Sequence, residues 1–152
     1  MPSYKIEIQN TASRYKIPQA KLKRAAVGIL KSLGWRKAAL SIRLVTDRQI
    51  RPINKRHLGH DWATDVISFS QLEGRSLKPA PQTVPFLGDL VISLETTARQ
   101  AKEYENDFFY ELCFYLCHGI LHLMGHSDKT SKQAAQMERK QKAILKKLKI
   151  HI

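Results

Sequence analysis

The chain is poor in cysteine, glycine, proline and acid, and it has no long hydrophobic run. Two cysteines in 152 residues, Cys113 and Cys117, cannot build a disulfide framework. Lying four apart in one apolar segment, they would stack on successive turns of a helix, where a bridge is strained and constrains little. They read as small buried hydrophobes of a protein from a reducing compartment. Seven glycines and six prolines exclude a collagen-like or linker-like chain. The most apolar stretch, residues 108–124, is broken by Glu111, His118, Gly119 and His122, and its longest unbroken apolar run is residues 112–117. That is too short and too polar to span a bilayer. The opening residues, Met-Pro-Ser-Tyr-Lys-Ile-Glu, lack the apolar core of a secretory signal. The expectation is a soluble, cytoplasmic protein with no membrane partner.

Acid is the telling shortage. Thirteen Asp and Glu face 26 Lys and Arg, for a formal net charge of +13 and a pI near 10.0. The deficit is uneven. Residues 1–43 carry ten Lys or Arg and one acid, and residues 129–152 carry eight and one. Residues 89–128 carry seven acids and only Arg99 and Lys102 as bases. One Lys-rich helix is ordinarily a solvated face, but two basic ends at this net charge point to a polyanion held by salt-sensitive phosphate contacts. A membrane surface fits less well, because no basic helix offers Trp or Phe on an apolar face.

What remains is an ordinary globular sequence. A content of 43% apolar and 26% charged residues argues against disorder. The length suits one domain, residues 1–152, with no linker and no internal repeat. Residues 4–8 alternate, Tyr4, Ile6 and Ile8 against Lys5 and Glu7, and read as a strand with one face buried. Pro18 suits the first turn of a helix whose stripe (Ala20, Leu22, Ala25, Ala26, Ile29, Leu30, Leu33) ends at Gly34. Residues 39–45 form a second strand with Leu40, Ile42 and Leu44 on one face, and residues 66–69 and 90–92 fit inner strands. Residues 71–86 show no periodicity and read as a loop. Ser93 opens a helix to about residue 104, and Asn106 or Asp107 caps a central one that runs to Met124 and stops at Gly125. A basic helix closes the chain, from about residue 131 to 148. The expected fold is α+β, a small mixed sheet packed against several helices, with a metal site on the central helix.

That site is written in His118-Gly119-Ile120-Leu121-His122-Leu123-Met124-Gly125-His126-Ser127-Asp128. His118 and His122 are i and i+4, so both imidazoles leave one helix face a turn apart, the spacing of two adjacent zinc ligands. Gly125 lets the chain leave the helix, and a residue three further on can fold back as a third ligand, as in the H-x-x-x-H-x-x-G-x-x-H arrangement. Asp128 stands at that place, and a carboxylate ligates zinc at similar distance. Three protein ligands leave a position for water, the mark of a catalytic site. Metallopeptidases carry a Glu general base directly after the first His; Gly119 stands there, and peptidase activity is not expected.

These residues resemble the YbeY family of bacterial rRNA maturation factors, whose motif reads roughly H-G-x-L-H-L-x-G-Y-D-H. Thr64-Asp65-Val66-Ile67-Ser68-Phe69 is similar to the family's T-D-V-L-S-F, and Leu87-Gly88-Asp89-Leu90-Val91-Ile92-Ser93 to its L-G-D-I-x-I-S. Asn54-Lys55-Arg56 falls where the family has an Asn followed by its functional Arg. The resemblance implies a metal-dependent, single-strand-specific endoribonuclease acting in 16S rRNA 3′-end maturation and ribosome quality control. Its partners would be single-stranded RNA, small-subunit rRNA and ribosomal proteins. One zinc would be held by His118, His122 and Asp128, and Arg56 would be catalytic, offering its guanidinium fork to the scissile phosphate. The family has His where this chain has Asp128 and Tyr where it has His126. Either Asp128 replaces the third histidine, or His126 takes over, or metal binding is weakened. His57 and His60, near Arg56, could shuttle protons, but nothing in their spacing demands it and they read as surface histidines. Asp65 and Asp89 are either acceptors orienting a ligating histidine or turn residues bonding their own backbone. Trp35 and Trp62 are core residues or platforms for bases. Two other readings stand beside the nuclease: a non-catalytic rRNA-binding assembly factor with a structural metal, and a zinc hydrolase of a small substrate.

Overall fold

Ile6 is buried between exposed Lys5 and Glu7, and this alternation produces the first strand, β1 (Ser3–Asn10). Helix α1 (Gln19–Ser32) buries Leu22, Ala25, Ala26, Ile29 and Leu30, with Pro18 as its N-cap residue. Strand β2 (Lys37–Val45) follows and pairs in parallel with β1, Ile6 opposite Leu40. The remaining elements are α2 (Asp47–Leu58), β3 (Val66–Ser70), β4 (Phe86–Ser93), α3 (Leu94–Glu103), α4 (Phe108–Leu123) and α5 (Ser131–Lys147). The computed structural model describes residues 1–72 and 84–150. Most of the loop expected over residues 71–86 therefore lies outside the described residues, and its last residue, Phe86, already belongs to β4.

The four strands form one mixed sheet in the order β1-β2-β4-β3. β2 and β4 are parallel, and β3 runs antiparallel along β4 with Ser68 opposite Leu90. One face of the sheet, with Leu40, Ile42, Leu44, Leu90 and Ile92, packs with α1 and α4 into the main core. The opposite face is covered more thinly, by a cluster of Val45, Ile50, Ile67 and Val91 under α2. The α+β class and the single small sheet expected from the sequence are what the chain forms. Among the described residues no helix is long and apolar enough to cross a membrane.

Helix α2 is the element the periodicity does not reveal. Only Ile50 and Asn54 on it are buried, so it has no apolar stripe, and Pro52 removes one backbone donor from its interior. It is held instead by its start. The Thr46 hydroxyl accepts from the Gln49 backbone N–H at 3.2 Å while the Gln49 side-chain oxygen accepts from the Thr46 N–H at 2.9 Å. Asp47 then ties α2 to α3, accepting from the hydroxyls of Ser93 and Thr96 at 2.6 Å each and from the Arg99 guanidinium at 2.7 Å. Partial burial pushes the Asp47 carboxyl up, but these donors outweigh it and hold the group below its ordinary value.

Candidate metal centre

Helix α4 carries the site and buries more residues than any other helix among the described residues. Asp107 caps it, its carboxylate accepting from the N–H groups of Phe109 and Tyr110. Asn106, the other candidate cap, instead donates to the buried Glu111 carboxylate at 2.8 Å. The helix lies close on the sheet. A Cβ at Gly119 would stand 2.8 Å from Leu90 Cδ2 and 3.1 Å from Val66 Cγ2, so a larger residue would have to push these side chains aside. The Ser68 hydroxyl donates to the Gly119 carbonyl at 3.0 Å across this contact. Gly119 faces the sheet and not the histidines, so a glutamate general base has no room there.

His118 and His122 stand on the half-buried side of α4 with their Nε2 atoms 3.0 Å apart. The helix ends at Leu123, and Gly125 at φ 94° turns the chain back over its last turn. Asp128 returns with Oδ2 3.3 Å from both Nε2 atoms. His126 leaves the turn elsewhere and does not join the three. Burial and the nearby Lys140 and His122 hold its imidazole below the ordinary histidine value.

The donor chemistry of this triangle fits a cation. Gln141, buried on α5, donates through Nε2 to the Phe114 carbonyl at 3.1 Å, which turns its Oε1 toward His118 Nδ1, also at 3.1 Å. The Nδ1 proton of His118 is thereby fixed, and its Nε2 presents a lone pair. Two imidazole nitrogens and a carboxylate oxygen thus converge on one point. Ligand bonds of 2.0–2.1 Å to a tetrahedral zinc imply donor–donor edges of about 3.3–3.4 Å, and the triangle's sides of 3.0, 3.3 and 3.3 Å are close to that size. Among the described residues this is the one group of three such side chains arranged to hold a metal ion.

The other singled-out residues lie outside the triangle, Asp65 near enough to feel the charge of His118. Arg56 lies on the exposed last turn of α2 and makes no hydrogen bond or ion pair among the described residues. His57 packs on Phe69 with ring centroids 4.2 Å apart, and His60 stacks on Trp62 at 4.5 Å. Asp65 accepts from the Val66 N–H beside it, the turn-residue alternative, and burial pushes its carboxyl up. Asp89 lies in β4 opposite Phe69, on the strand alternation away from α4. Trp35 is packed, its indole N–H donating to Met124 Sδ at 2.9 Å, whereas Trp62 is 57% exposed. The residue that sequence reasoning missed is Gln141. Its signal was available: a lone uncharged polar residue in register with Met137, Ile144 and Leu145 on the buried side of a basic helix.

Comparison with known proteins agrees with this architecture. A family model described as Endoribonuclease YbeY matches residues 7–149. The endoribonuclease YbeY of Geobacter metallireducens is 39% identical over 144 residues, spanning 92% of this chain and 93% of its own. That of Symbiobacterium thermophilum is 45% identical over 108 residues, 70% of this chain and 69% of its own. In three dimensions the chain is similar to a Thermotoga maritima protein solved in solution, with a TM-score of 0.59 and 23% identity over 96% of this chain and 91% of that one. The last likeness speaks for the fold.

Proposed function

The chain belongs to the YbeY endoribonuclease family, and we propose from that membership that it hydrolyses single-stranded RNA with one divalent ion, zinc, held by His118, His122 and Asp128. The observation that carries the metal reading is the convergence of three lone-pair donors at 3.0–3.3 Å on one side of the α4 terminus. When bound, such an ion supplies Lewis acidity to a phosphodiester and to water. The chain's own residues do the rest. Gln141 holds the Nδ1 proton of His118 and so keeps the opposite nitrogen free. Asp128 contributes the negative charge that two imidazoles lack. Arg56, unengaged among the described residues, offers a planar fork to a phosphate and to the charge that develops on it. The basic ends of the chain, α1 and α5 included, supply the sequence-independent attraction for the strand.

The finer reading is 3′-end maturation of small-subunit rRNA in the cytoplasm, in contact with ribosomal proteins; it is supported by the family and by the charge of the chain. Purified protein offered single-stranded RNA is expected to cleave it, and a chelator to abolish cleavage. Binding that survives chelation, with no cleavage in either state, would favour an assembly factor. Substitution separates the ligand sets: Asp128→Ala is expected to lose metal and cleavage, while His126→Ala keeps both. Metal content measured on the two variants decides, and the reverse result would assign the third ligand to His126.

A further inference from the structure

The loop that follows α2 is pinned to the helix and yet turns a tryptophan outward. The buried Asn54 side chain donates to the Trp62 carbonyl at 2.9 Å, and its own Oδ1 finds no partner among the described residues. The Arg51 guanidinium donates to Asp61 at 2.9 Å, with Lys55 at 3.9 Å from the same carboxylate. Three consecutive loop residues are thus engaged, since the His60 ring lies nearly parallel to the Trp62 indole, 8° between planes. Despite this, Trp62 keeps 57% of its surface exposed. Isolated apolar side chains on a surface are common, but an ordered, half-stacked indole beside arginines is a presented surface.

Trp62 lines a shallow cleft of about 570 Å³ with Asp47, Arg48, Arg51, Asp61 and Ala63. Both carboxylates of that cleft are neutralised, Asp61 by Arg51 and Lys55, Asp47 by Arg99. Arg48, which lines the same cleft as the indole, is exposed and has no ion pair among the described residues. An aromatic face next to an uncompensated arginine suits a group that is flat on one side and anionic on the other, which is a nucleotide of a single strand. We propose that Trp62, backed by His60, is a stacking subsite for one unpaired base of the RNA, with Arg48 facing the adjoining phosphate. The proposal deepens the endoribonuclease reading and rests on it. Because a base stacked on Trp62 must have left its own helix, the subsite favours single strands over duplexes.

The test uses the full chain and a labelled oligoadenylate. Wild-type protein is expected to bind the single strand, and Trp62→Ala to weaken that binding roughly five- to 150-fold, as loss of one aromatic–base stack does. Trp62→Phe should recover most of it. In a Trp35→Phe background the emission of Trp62 should be quenched by the oligonucleotide but not by inorganic polyphosphate, which has the charge without the bases. If wild type and Trp62→Ala bind the strand equally, or polyphosphate quenches as strongly, the subsite is refuted while RNA binding stands. If wild type binds no single-stranded RNA at all, the endoribonuclease reading fails first and the subsite with it.

Discussion

Helices α4 and α2 divide the labour of the molecule in opposite ways. α4 buries most of its side chains between the sheet, α1, α3 and α5, and brings its chemistry to its last turn, where the backbone is still held by the core. α2 buries two side chains, is fastened by a capping box and the Asp47 hub, and leaves its basic residues in water. A site that must hold three donor atoms to a few tenths of an ångström belongs on the first kind of element. The arginines proposed to face RNA, Arg48 and Arg56, lie on the second.

The comparison breaks first, and hardest, in the core. Leu116→Ala, at a fully buried position of α4, is expected to cost about 2–5 kcal/mol of stability, whereas Arg48→Ala on α2 should stay within about 0.5 kcal/mol. Urea unfolding of the two variants measures the contrast. Next comes the support of the site. Gln141→Leu removes the acceptor that fixes His118 and should weaken metal affinity about 10–100-fold while the fold is retained. Zinc titration with a competing chelator reads this, and an unchanged affinity would leave Gln141 a packing residue only. Thr46→Ala removes the hydroxyl of the α2 capping box and should cost about 1 kcal/mol, also by urea unfolding. Arg56→Ala should be the mildest for stability, within about 0.5 kcal/mol, and leave metal content unchanged, yet lower the rate of RNA cleavage. Wild-type cleavage by Arg56→Ala would remove this arginine from the mechanism.

The same two helices show what can be read without a structure. α4 was legible because apolar residues run nearly all round it, and its histidines announce themselves at i and i+4 before a glycine. The strands were legible from alternation at Ile6 and at Leu40, Ile42 and Leu44. α2 was not, because its stability comes from Thr46, Gln49 and Asp47 and not from a stripe; the Thr46-x-x-Gln49 spacing was the one local clue. The return of Asp128 rested on a glycine whose turn could be inferred, so its place was legible. Gln141 was legible only as a polar residue on the buried side of α5, since nothing in a linear chain pairs it with a histidine 23 positions away. Long-range partners are fixed by packing between helices, and the sequence states only which side of each helix is buried.

The two thiols inside α4 also make the protein its own clock for opening. Cys113 and Cys117 have no exposed surface, and burial pushes both up to about 12, so the folded chain offers neither a thiolate nor an accessible sulfur. A disulfide reagent can modify only molecules whose central helix has come away from its neighbours. Where reclosing is fast, the rate of modification then reports the population of that open state, with no label added. By the same exclusion, a reporter cysteine introduced at the surface can be labelled alone, with the native pair left in place.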